Sequence, residues 1–149
     1  MKFEQRTWTK AGGWSLEAQN NDMREDTQLV FVFAATDVLK ENAFYNELSA
    51  RYPKAHLFGC STSGEIAGTR VSDNTLAATA IRFENTPIAV AKVPLERVSS
   101  SLQAGELLAR SIQHERLTHV FVLSDGLNVN GSDLVAGLTQ NLPEHVTIT

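Results

Sequence analysis

The run Gln28-Leu29-Val30-Phe31-Val32-Phe33-Ala34 limits the fold more than any other segment. It is continuously apolar and rich in β-branched and aromatic residues, the pattern of a strand covered on both faces. After it, Thr36 or Asp37 can cap a helix reaching to about Arg51, with Leu39, Ala43, Phe44, Leu48 and Tyr52 at helical spacing. Pro53 ends that helix, and Ala55-His56-Leu57-Phe58 re-enters a strand. A strand–helix–strand unit with such brief connections predicts parallel pairing. The expectation is an α/β fold: a mixed, largely parallel sheet covered by helices.

Further along, Thr75 to Phe83 and Ile88 to Val93 read as two strands joined by a hairpin-like turn at Glu84-Asn85-Thr86-Pro87. Ser99, Ser100 or Ser101 can cap a second helix with Leu102, Leu107, Leu108, Ser111 and Ile112 on or near one face. Thr118 to Leu123 reads as a buried strand, Ser132 to Leu142 as a third helix closed by Pro143, and Val146 to Thr149 as one more strand. Before residue 28 the periodicity is weak: Phe3, Trp8 and Trp14 suit the edge of the sheet, and Ser15 to Met23 suits a short helix. The 149 residues fit one domain, and a last strand with no continuation suggests a domain truncated at its C-terminal end or split.

Several functions are disfavoured by composition. No segment reaches the run of about 20 apolar residues that a membrane span needs. The first residues carry no apolar stretch behind their cations, so they do not form a secretion signal, and the expected location is the cytoplasm. Cys60 is the only cysteine, which excludes an internal disulfide or a multi-thiolate metal site within the chain. The net charge is -4 and the thirteen Lys and Arg residues are scattered, which argues against nucleic acid. His56, His114, His119 and His145 have no metal-ligand spacing, so no metal site is expected; a single histidine could serve as an axial haem ligand, which needs no motif.

Ligands of open α/β sheets collect where loops leave the carboxyl ends of strands. Two segments qualify. Gly59-Cys60-Ser61-Thr62-Ser63-Gly64-Glu65 combines three hydroxyls with two glycines, so backbone and side-chain donors can approach a carboxylate or phosphate closely. The alternative is a tight turn whose hydroxyls bond their own backbone. The segment has neither the Lys of a phosphate-binding loop nor the spacing of a Gly-x-Ser-x-Gly elbow. Cys60 would be a nucleophile only with a base beside it, His56 being nearest in sequence; Glu65 is either a general acid, a grip for an amino group, or a solvated carboxylate. In the second segment, Ser124 to Asp133, Asp125 suits a ligand ammonium while Asn130 and a helix capped by Ser132 suit a carboxylate. The alternative is that Asp125-Gly126 forms a turn and Asn130 to Asp133 only starts a helix.

Phe58-Gly59-Cys60-Ser61-Thr62-Ser63-Gly64-Glu65-Ile66 resembles the G-C-S-T-x-G-E-I signature of FIST domains. The strand Leu29 to Ala34, Asp125-Gly126-Leu127 and Leu134-Val135-Ala136-Gly137-Leu138 follow the same family order. The resemblance implies a sensory domain that binds a small ligand such as an amino acid and answers to a histidine kinase, cyclase or chemotaxis-type output module. Some members are haem-containing nitric oxide sensors. Carried onto matching positions, it places ligand binding at Gly59, Cys60, Ser61, Thr62, Ser63, Gly64 and Glu65 and at Asp125, Gly126 and Asn130, with no catalytic residue. Asn128-Val129-Asn130 departs from the commoner, shorter Ser-Gly-Asn type, and the C-terminal FIST half is missing from the pattern. An enzyme using Cys60 or Glu65 is the competing class.

Overall fold

A computed structural model describes all residues except 21–22, 42 and 113–114. The chain divides into two compact units, Met1–Ile88 and Ala89–Thr149.

In the first unit the strands are β1 (Lys2–Thr9), β2 (Gly13–Gln19), β3 (Leu29–Ala34), β4 (His56–Ser61), β5 (Glu65–Ala67), β6 (Arg70–Ser72) and β7 (Thr75–Arg82). The helices α1 (Thr36–Glu41) and α2 (Ala43–Arg51) lie between β3 and β4. Five strands form one sheet in the order β2-β1-β7-β3-β4, while β5 and β6 make a separate hairpin. The expected strand–helix–strand unit is present: β3 and β4 run parallel, from Leu29 opposite His56 to Ala34 opposite Ser61. Alternate residues of a strand share a face. Val30, Val32 and Ala34 of β3 and Leu76, Ala78 and Ala80 of β7 therefore form one core with Phe44, Leu48 and Tyr52. Phe31 lies on the other side of the pleat, its ring stacked on Phe33 and edge-on to Phe58.

The expectation of a largely parallel sheet is overturned. The pairs β1/β2, β1/β7 and β7/β3 are all antiparallel, leaving β3/β4 as the parallel pair of the main sheet. β7 lies between β1 and β3, and its alanines Ala77, Ala78 and Ala80 are buried there. The hairpin-like pair is overturned too: Thr75–Arg82 is a strand, but Ile88 to Val93 belongs to none. Pro87 and Pro94 bracket that segment and contribute no N–H to a ladder. Nor do Ser15 to Gln19 form a helix; they pair with β1 after a turn in which Gly13 takes φ +65°. Trp8 and Trp14 face each other across β1 and β2 and pack against the core, and β2 is the sheet's edge.

The second unit holds α3 (Ser101–Ser111), β8 (His119–Val120), α4 (Gly131–Thr139) and β9 (Thr147–Ile148), with a short 3₁₀ turn at Leu95–Arg97. β8 and β9 pair in parallel, and the Val122 N–H continues the contact onto the Thr149 carbonyl at 2.7 Å. The Ser100 side chain caps α3 by accepting from the Gln103 N–H. The leucine face expected for α3 is displaced: Ala104, Gly105 and Ala109 are buried and Leu107 is exposed. The cause is a close crossing with α4, where a Cβ on Gly105 would lie 2.3 Å from the Leu134 carbonyl oxygen and one on Gly137 2.1 Å from that of Leu102. Leu134, Leu138 and Leu142 complete that core.

Candidate functional site

The signature segment begins inside a strand. Gly59, Cys60 and Ser61 close β4, Thr62, Ser63 and Gly64 turn, and Glu65 opens β5. Gly59 lies opposite Val32, and a Cβ there would sit 1.7 Å from the Val32 carbonyl oxygen, so glycine is what lets β4 run this close to β3. Gly64 differs, with its nearest neighbours at 3.5 Å and beyond. The Thr62 N–H donates to the Ala34 carbonyl at 2.9 Å, which keeps the turn on the carboxyl end of β3. Ser61 and Ser63 are exposed; Cys60, Thr62 and Gly64 are half-buried.

Glu65 is only 2% exposed, so it is not a solvated loop carboxylate. Its Oε1 accepts from the Thr62 hydroxyl at 2.8 Å, and its Oε2 accepts from the Thr75 N–H at 3.1 Å and the Thr75 hydroxyl at 2.8 Å. Both oxygens are thus engaged from within the chain, tying the turn to the start of β7. Thr75, the partner ten residues away, is invisible to motif reading. It meets Glu65 only because the β5–β6 hairpin, with φ +59° at Gly68, returns the chain. Cys60 and His56 occupy the same strand four residues apart, roughly 13 Å along an extended chain, so His56 is no base for that thiol.

The second segment lies in the other unit and is largely self-satisfied. Asp125 accepts from the Leu127 and Asn128 N–H groups at 2.8 and 2.9 Å and from the Asn128 side-chain amide at 3.1 Å. The Leu127 and Asn128 backbone bonds, followed by the Asn128 side chain, hold the Asp125 carboxyl below its usual range, so it remains an anion into acid solution. The helix cap is corrected: Asn130, not Ser132, accepts from the Asp133 N–H at 3.2 Å, and Ser132 sits inside the first turn. The Asn130 N–H donates to the Ser101 hydroxyl at 2.9 Å, a link to α3 that spacing did not reveal. Gly126 is exposed, and Leu127 at the turn's tip is 96% exposed.

Among the described residues no cluster of His, Cys, Asp and Glu could hold a metal ion. His56, His119 and His145 are exposed; the His119 ring bonds Thr147 and Thr149, and His145 Nε2 lies 3.1 Å from the Leu117 carbonyl oxygen. His114 lies outside the described residues. No described helix is long and apolar enough to cross a membrane.

Compared with known families, the chain matches the model of the FIST N domain over residues 28–149. No curated protein and no solved structure shows significant similarity to the chain.

Proposed function

We propose, from the premise that this chain belongs to the FIST family of sensory domains in signalling proteins, that its Gly59–Glu65 segment receives a small polar ligand such as an amino acid. The observation that carries this reading is the buried Glu65 joined to Thr62 and Thr75, which fixes the turn while Ser61 and Ser63 stay exposed beside it. A turn ordered before the ligand arrives loses little conformational freedom on binding. Hydroxyls and backbone N–H groups are donors for a carboxylate. The Asp125 turn of the second unit, with Gly126 exposed beside it, is a separate candidate position for an ammonium group, and Asn130 is occupied in capping α4. The output of such a sensor passes to a partner of the kinase, cyclase or chemotaxis type. This reading needs no catalytic residue, in keeping with the distance between Cys60 and His56.

A thermal-shift screen of the chain against amino acids, small carboxylates, nucleotides and haem tests the proposal. Ligand at about a hundred times its dissociation constant adds roughly 2.7 kcal/mol, which at this size raises the midpoint by roughly 5–10 °C. A selective shift with an amino acid or small carboxylate, lost in the Ser61→Ala/Ser63→Ala double variant, supports the reading. A shift that survives the double variant moves the site elsewhere, and a shift with haem alone replaces the ligand class.

A further inference from the structure

β1 places Glu4, Arg6 and Trp8 on the sheet face that α2 covers: they lie opposite Ala80, Ala78 and Leu76, all core residues. Glu4 is completely buried there. Its Oε1 accepts from Arg6 Nε, from Arg51 Nε and Nη2 at 3.1 and 2.8 Å, and from the Tyr52 hydroxyl at 2.9 Å. Its Oε2 accepts from the Met23 N–H at 3.3 Å. The carboxylate is therefore a fixed anchor for two guanidinium groups. Arg6 uses only its Nε on that anchor, and its terminal amino groups bond no described residue.

Arg6 also lines a cleft of about 190 Å³, together with Trp14, Glu47, Leu48 and Arg51. Within this lining the Trp14 indole N–H donates to Glu47, which holds the indole ring in place. Arg6 and Glu47 share the cleft without pairing with each other; the described ion pair of Arg6 is with Glu4. An anchored guanidinium edge beside a fixed aromatic ring matches a flat carboxylate, because the fork geometry of arginine takes a carboxylate with two parallel bonds and the ring offers its face to a planar body.

We propose that this cleft is a second binding site, for a small planar monocarboxylate. The carboxylate sits on the terminal amino groups of Arg6, and its body lies along Trp14 above Leu48. The volume is below the roughly 300–1,000 Å³ of sites for larger organic ligands, which restricts the ligand to about the size of benzoate. Glu47 at the same cleft repels a second negative charge, so a monoanion is preferred over a dianion. Arg6 and Trp14 precede residue 28, where the family match begins, so family membership does not assign this site. It is also separate from the Gly59–Glu65 segment.

Benzoate titrated into the ¹⁵N-labelled chain is the test, read at the Trp14 indole N–H. The expected result is a saturable shift of the Trp14 signal that weakens at least tenfold in apparent affinity in Arg6→Gln. Because that variant also removes a partner of buried Glu4, Glu47→Gln provides an arm that leaves the anchor intact. Glutamine keeps an acceptor for the indole while removing the repelling charge, so benzoate should bind roughly two- to tenfold more tightly. No saturable Trp14 shift, or Glu47→Gln binding no better than the parent chain, overturns the proposal. So does an Arg6→Gln variant that keeps its fold and binds benzoate as the parent does.

Discussion

Replacing Gly59 with alanine separates close packing from mere turn preference in the signature segment. In an ordinary strand the change is favourable by about 0.5–1 kcal/mol, since glycine loses more conformational freedom on folding. At Gly59, however, the new Cβ would stand 1.7 Å from the Val32 carbonyl oxygen and 2.6 Å from the carbonyl carbon. Relief requires β3 and β4 to part by more than an ångström at the middle of their parallel ladder, which runs from Leu29/His56 to Ala34/Ser61. Two to three ladder hydrogen bonds at about 1 kcal/mol each are then lost or weakened, for a net destabilisation of about 1–3 kcal/mol. At this size that lowers the midpoint by roughly 3–10 °C. Gly64→Ala is the control: its Cβ would meet the Val71 side chain at 3.5 Å, an ordinary contact, so the change should stay within about 0.5–1 kcal/mol. Urea unfolding of both variants measures the difference. Equal stability of Gly59→Ala and the parent chain would refute the steric argument.

Other outcomes follow from the same geometry. Gly137→Ala, whose Cβ would meet the Leu102 carbonyl oxygen at 2.1 Å, should destabilise the α3–α4 crossing by about 1–3 kcal/mol despite alanine's helix preference, whereas Gly131→Ala, with nothing within 4 Å, should be neutral or mildly stabilising in thermal melts followed by circular dichroism. Glu65→Ala leaves the buried Thr75 N–H without its acceptor and should cost about 2–4 kcal/mol in urea unfolding, with Glu65→Gln costing less because one acceptor remains. Glu4 predicts an acid limb. Burial alone would raise its carboxyl, but the bonds from Arg6, Tyr52 and Arg51 outweigh burial and hold it below its ordinary 4.5. Its contribution is complete above about pH 4.5 and is lost as pH falls through the lowered folded value. Urea midpoints measured across acid pH should show a slope below pH 4.5 that becomes shallower in Glu4→Gln.

The sequence carried the parts of this fold that are local. Continuous apolar character marked β3, helical spacing placed Phe44, Leu48 and Tyr52 in the core, and short connections implied the parallel β3/β4 pair. It did not carry neighbour choice: nothing in Thr75 to Arg82 says that this strand inserts between β1 and β3 and runs antiparallel to both. The inner face of β1 was hidden because it carries Glu4 and Arg6, charged residues that leave no apolar alternation; their burial depends on Arg51 and Tyr52, 47 and 48 residues beyond Glu4. For the candidate site, glycine, hydroxyl and Asp/Asn content singled out both segments as candidates. The burial of Glu65 depended on Thr75, and the cap of α4 fell to Asn130 because the chain enters the helix two residues earlier than Ser132 suggested. Patterns of period two or 3.6 report which side of an element is apolar. They do not report which distant residue completes a hydrogen bond.

The most direct test of ligand binding at the signature segment is a backbone amide NMR titration of the chain with an amino acid that shifts its melting midpoint. The account predicts saturable changes centred on Ser61, Thr62, Ser63 and Gly64, with the Trp14 indole signal unmoved. Saturable changes confined to other parts of the chain, with residues 59–65 silent, would contradict it.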